Sequence, residues 1–160
     1  MNRIILSAVA VSGALISQGA LAATATSNMD VSASVSSVCS VDASPLAFGE
    51  VALTGATPGT ATIAVTCTGG GDYTVGLDNG LHNIAAARFL QSGSNTLAYG
   101  LFKDIGHATR WGDAGAGLVS GTGSGAEQDL TVYGQVTTGQ TLVSGNGTPY
   151  TDTILVTLTY

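Results

Sequence analysis

Apolar and polar residues alternate along most of this chain. From Ala61 to Thr68 the odd positions hold Ala61, Ile63, Val65 and Cys67, and the even ones Thr62, Ala64, Thr66 and Thr68. A period of two marks a strand with one buried face, because successive side chains point to opposite sides. Tyr73, Val75 and Leu77 repeat the pattern, and Asp78-Asn79-Gly80 follows as a turn, since Asn-Gly tolerates positive φ. Leu97, Tyr99 and Leu101 share one phase after Ser92-Gly93-Ser94-Asn95, and Leu130 and Val132 alternate against Thr131 and Tyr133. The clearest strand runs from Asp152 to Tyr160. Ile154, Val156, Leu158 and Tyr160 lie on one face, with Thr153, Thr157 and Thr159 opposite and Leu155 as the exception. Residues 112–125 carry six glycines, which predicts a loop or weakened sheet edges that bury little.

No segment shows sustained helical spacing. Short alternating strands, regular turn signals and 23 glycines predict an all-β fold, a sandwich of immunoglobulin-like type. Two segments stand out within it. The closing strand has no sequence-local hairpin partner on its far side, so a bare edge or a groove is expected there, and Asp152 alone supplies charge to guard it. Ahead of the first cysteine, Ala25, Ser27, Met29, Val31, Ala33 and Val35 take the odd positions against Thr and Ser, with Asn28 and Asp30, on the even ones. That stretch has neither Pro nor Gly from Ala23 to Cys39 and reads as a ready-made amphipathic strand. An ordinary first strand of the same sheet is its plainest reading.

Residues 1–22 have the order of a secretory signal peptide: basic Arg3, an apolar run from Ile4 to Ile16, and small residues ending in Ala20-Leu21-Ala22. The apolar run falls short of the roughly 20 residues that span a bilayer, so no membrane insertion is expected. Cleavage leaves 138 residues, enough for one domain with its own core. It also removes one of four basic residues and takes the formal charge from −6 to −7. The remaining Arg88, Lys103 and Arg110 form no patch for nucleic acid. In an exported chain the two cysteines, Cys39 and Cys67, are expected to form a disulfide, the alternative being a reactive thiol or a metal ligand without a supporting Cys/His cluster.

The sequence holds neither a G-x-S-x-G elbow nor an H-E-x-x-H helix. His82 follows a turn and His107 sits in a polar loop, where solvated surface positions are expected rather than a catalytic base. Trp111, Tyr99 and Tyr133 are expected to pack in the fold rather than line a sugar site. Catalytic, metal and cofactor sites are therefore all expected to be none.

Several pieces, taken in order, resemble a known family. They are Cys39 with Phe48-Gly49, Val65-Thr66-Cys67-Thr68-Gly69, Arg88-Phe89-Leu90 and Leu97-Ala98-Tyr99-Gly100-Leu101-Phe102-Lys103-Asp104. Trp111-Gly112-Asp113, Val132-Tyr133-Gly134, Gly139-Gln140 and the stretch from Tyr150 to Tyr160 complete the set. Together they resemble the spore coat protein U family, which includes subunits of archaic (Csu-type) chaperone-usher pili.

The resemblance implies an incomplete immunoglobulin-like β-sandwich that lacks its last strand and carries an N-terminal donor strand. Residues 23–37 would be the donor extension, with Met29, Val31, Ala33 and Val35 inserted. Residues 38–160 would be the pilin domain, with Ile154, Val156, Leu158 and Tyr160 on the strand beside the acceptor groove. The implied partners are identical or related pilin subunits, a periplasmic chaperone and an outer-membrane usher. The implied product is an adhesive surface pilus supporting attachment and biofilm formation. The competing expectation is a monomeric secreted spore-coat or carbohydrate-binding β-sandwich.

Overall fold

The computed structural model describes residues 22–51, 54–144 and 147–160. The signal peptide read from residues 1–22 lies, up to residue 21, outside the described residues. The chain divides into two compact units, one ending at Ser34 and one comprising Val35–Tyr160. In the first unit, residues 22–34 are exposed and form no strand. Their alternation predicts a strand, but a strand requires a ladder partner, and a lone amphipathic strand is not stable in water.

Among the described residues the second unit is a sandwich of eight strands: β1 (Cys39–Ala43), β2 (Thr57–Cys67), β3 (Asp72–Leu77), β4 (Arg88–Ser92), β5 (Asn95–Phe102), β6 (Val119–Thr122), β7 (Glu127–Val136) and β8 (Val156–Thr159). One sheet has the order β1-β2-β7-β5-β4 and the other β6-β3-β8, all neighbours antiparallel. The inward positions are the ones that the alternation selects: Ile63, Val65 and Cys67 on β2, Tyr73, Val75 and Leu77 on β3, Tyr99 and Leu101 on β5, Val132 on β7. Trp111 is buried among them and donates its indole N–H to the Val75 carbonyl at 3.0 Å.

Cys39 and Cys67 face each other at the start of the β1–β2 pair and are joined in a disulfide. Cross-linking residues 28 apart removes about 3–4 kcal/mol of chain entropy from the unfolded state. The glycine-rich stretch supplies β6, a four-residue edge strand, in keeping with the weakened edge expected there. Gly121 is needed in it because the Tyr73 ring occupies the space of a Cβ.

The closing strand is shorter than its pattern predicts. Thr151 pairs with Gln91 of β4, after which the chain crosses to the other sheet and reaches β8 only at Val156. Between them the Leu155 N–H donates to the Asp78 carboxylate, and Leu155 accepts from the Asp78 N–H. A turn side chain thus takes the place of a ladder partner at Leu155, the residue that breaks the alternation.

Candidate functional site, an open cleft between the sheets

β1 ends one sheet and β8 ends the other, and each is paired on one side only. Their Cα atoms come within 8 Å, yet no ladder joins them. A cleft of about 290 Å³ lies between the sheets here, with Ala61 and Ile63 of β2, Leu101 of β5 and Val132 of β7 on one wall. Leu77 of β3 and Ile154 and Val156 of the closing segment form the other wall. Burial changes accordingly. Val65 and Val75 are fully enclosed, whereas Ala61, Leu90, Ile154, Val156 and Leu158 pack on the core but stay half-buried. A row of apolar side chains that are only half covered indicates a core with a missing layer, because packed interiors leave few voids.

The pairing on β1 fixes which of its backbone groups face that cleft. Val38 and Ser44, just outside the strand, bond to Thr68 and Thr62. In an antiparallel pair hydrogen-bonded positions alternate, so even-numbered residues of β1 turn their N–H and C=O toward β2. Cys39, Val41 and Ala43 turn theirs away from it, toward the open side. On the facing edge Ile154, Val156 and Leu158 alternate with exposed Leu155, Thr157 and Thr159. Tyr160 lies just beyond β8 and is 59 % exposed, so it does not share the burial of the other three residues expected beside the groove.

One end of the cleft is plugged by the segment after β1. Gly59 and Gly134 oppose each other across β2 and β7, and Leu46 and Phe48 fill the dimple they leave. A Cβ on Gly134 would lie 2.8 Å from Leu46 Cδ1, and one on Gly59 3.0 Å from Phe48 Cδ1. Phe48 then meets the Tyr99 ring edge-on at 5.9 Å.

A polar cluster sits beside this plug. Asp152, expected as an exposed edge charge, has a side chain only 2 % exposed. It accepts from the Tyr99 hydroxyl at 2.7 Å and from the His82 backbone N–H at 3.2 Å, and lies 3.1 Å from His82 Nδ1. Gly80, at φ +80, has no side chain because the carboxylate occupies that space. Burial, and then the hydrogen bond to Asp152, raise the Tyr99 pKa far above its ordinary value. His82, expected to be solvated, is instead half-buried as a partner of Asp152.

Arg88 is the other residue that alternation conceals. It is fully buried and donates to the carbonyls of Leu77, Asp78 and Trp111, bridging β4 to the end of β3. Burial first, and the charge of Arg110 second, lower its pKa. A lone arginine ahead of Phe89-Leu90 was the available signal, because carbonyls at strand ends need donors and a guanidinium supplies several in a fixed plane.

The family model described as the Spore Coat Protein U domain matches residues 25–157. The chain belongs to the spore coat protein U family. Within the family it is 30% identical over 158 residues to Protein U of Myxococcus xanthus, a match covering 87% of each chain. This spore coat protein U domain is also similar in fold to a chain of the CsuC-CsuE chaperone-tip adhesion subunit pre-assembly complex from archaic chaperone-usher Csu pili of Acinetobacter baumannii. The TM-score is 0.61 at 24% identity. That match covers 79% of this chain and 40% of the other, so the present chain spans less than half the length of that relative.

Proposed function

We propose that this chain is a structural pilus subunit whose cleft is completed by residues 23–37 of another subunit. The observation that carries the reading is the pairing of two features in one chain. A sandwich core lies open between the unpaired edges of β1 and β8, and an exposed segment with the pattern of a strand has no ladder of its own. Strand addition uses main-chain hydrogen bonds for affinity and alternate side chains for specificity. Met29, Val31, Ala33 and Val35 would face the cleft, against Ile154, Val156 and Leu158, with Tyr160 at its rim.

Burying Met29, Val31 and Val35 is worth roughly 5–10 kcal/mol at most, before the cost of ordering the segment. The three are 84%, 82% and 89% exposed in the single chain, so nearly all of that gain is still available. A strand bonded to both edges needs them about 9.5 Å apart, more than the closest approach of β1 and β8, so insertion separates the two sheets there. A periplasmic chaperone that keeps the edges apart fits this requirement, and an outer-membrane usher would deliver subunits to the growing fibre. Because donor and acceptor surfaces differ, the joint is head-to-tail and extends into a filament. Export by the leader in residues 1–22 and assembly at the cell surface, with attachment and biofilm formation as the outcome, complete the reading.

Val31→Asp with Val35→Asp, expressed with chaperone and usher, is expected to abolish the SDS-resistant ladder of polymers. An unchanged ladder would sink the mechanism.

A further inference from the structure

The structure assigns to Ser37, Val38, Thr68 and Gly71 a clasp that keeps the N-terminal segment out of its own cleft, so that the strand is given to a second subunit. This inference rests on the donor-strand reading above and adds to it the reason that the occupant comes from another chain.

Such a reason is needed. A segment tethered next to a cleft it fits competes at an effective concentration of about millimolar, and a second chain in micromolar solution loses to it by roughly a hundredfold or more unless geometry forbids the closure. Residues 29–35 lie immediately ahead of β1, which is itself one edge of the cleft. Folding back along that edge requires a reversal within residues 36–38.

The structure closes both short routes. A two-residue reversal at Ser36-Ser37 would pair Val35 with Val38 and would need the Val38 N–H and C=O. Both are already used: the N–H donates to the Thr68 hydroxyl at 3.0 Å, and the carbonyl accepts from the Thr68 N–H at 3.0 Å. That turn also favours Gly, Asn or Asp, and two serines supply none of them. A three-residue reversal would close on Cys39, whose backbone groups do point away from β2, to the open side of β1. Its third residue must then be left-handed, and that residue is Val38, whose branched Cβ disfavours positive φ.

Ser37 packs on the β2–β3 turn as well. It sits against Gly71 so closely that a Cβ there would lie 2.7 Å from its Oγ. The φ of Gly71 is not left-handed, so its lack of a side chain serves this contact rather than the turn. The β2–β3 turn thereby anchors Val38 as a continuation of β1, with Ser37 packed beside Gly71, and the reversal is left without a free hinge at residue 38.

Inserting a twelve-residue Gly-Ser linker between Val35 and Ser36 of the mature chain tests this. The linker reaches along the cleft in either direction while leaving Thr68 and Gly71 in place. The expected product is a monomer in which the amides of residues 29–35 are protected from hydrogen exchange, with polymer reduced about a hundredfold at micromolar concentration. The natural mature chain is expected to leave those amides unprotected when monomeric and to bind a synthetic peptide of residues 23–37. Ser36→Asn, Ser37→Gly and Thr68→Val together supply the turn and free the Val38 N–H, leaving only its carbonyl bonded to the backbone of residue 68, and are expected to shift the balance in the same direction. If the linker chain polymerises like the natural one, with residues 29–35 unprotected in its monomer, the clasp is refuted while peptide uptake keeps the donor-strand reading standing. If the natural chain neither takes up the peptide nor polymerises, both fall.

Discussion

The Tyr99 hydroxyl donates to Asp152 Oδ2 at 2.7 Å, joining the inner face of β5 to a residue 53 positions later, where the chain crosses between the sheets toward β8. Both residues border the cleft. The bond therefore fixes the lead-in of the strand that would form one wall of an acceptor groove, and it places a buried carboxylate beside an otherwise apolar floor.

Tyr99→Phe removes that donor and leaves Asp152 with the two His82 contacts. We expect a loss of about 1–2 kcal/mol in urea unfolding at neutral pH. The bond also has a pH signature. Below about pH 10, the ordinary tyrosine value, the phenol is protonated in folded and unfolded chains alike and adds no pH dependence. Above it the unfolded chain ionises while burial and Asp152 hold Tyr99 protonated in the fold, so stability falls as pH rises. Unfolding curves from pH 8 to 11 should show a shallower alkaline decline in Tyr99→Phe than in the natural chain. Parallel declines would show that Tyr99 is not the residue responsible.

Arg88→Met keeps the length and apolar stem of the side chain and removes every donor. The Leu77, Asp78 and Trp111 carbonyls would be left without it in the interior, which we expect to cost about 3 kcal/mol or more by chemical denaturation. Arg88→Lys retains a charge but cannot span three carbonyls with one planar group, and it should fall between the two. A midpoint for Arg88→Met equal to that of the natural chain would mean that the bridge contributes nothing.

Gly134 has no conformational need to be glycine, because its φ is ordinary and its neighbours on β7 follow a regular register. Space is the reason. Gly134→Ala should displace Leu46 and Phe48 from their dimple and cost about 1–3 kcal/mol. Shaving Leu46 to Ala in the same chain should restore part of that loss, since the clash is between these two residues. A double variant no better than Gly134→Ala would place the strain elsewhere.

Alternation made the core legible. β2, β3, β5 and β7 turn inward the residues that their period of two selects, with Ala61 and Leu130 half-buried at the margin, and Cys39 and Cys67 form the disulfide expected of them. β1 and β4 were not legible in the same way. β1 exposes four of its five residues, while β4 points a charged Arg88 into the interior, so neither presents an apolar stripe. Asp152 misled for a related reason: a carboxylate beside an amphipathic strand reads as an edge charge, and only the fold brings Tyr99 and His82 to it from distant positions. The N-terminal segment shows the limit of pattern reading most plainly, because its alternation states which side chains suit a cleft and says nothing about whose cleft it is.

The account stands or falls on whether residues 29–35 and the open edge of β1 become hydrogen-bonded to each other when subunits join. Amide hydrogen exchange of residues 23–160, compared between monomer and polymer, measures this at both partners. The account predicts that protection rises on polymerisation at residues 29–35 and at Cys39, Val41 and Ala43, whose N–H groups point to the open side of β1, and stays constant at Ser40 and Asp42, which are already bonded to β2. Polymers in which residues 29–35 exchange as freely as in the monomer would contradict it.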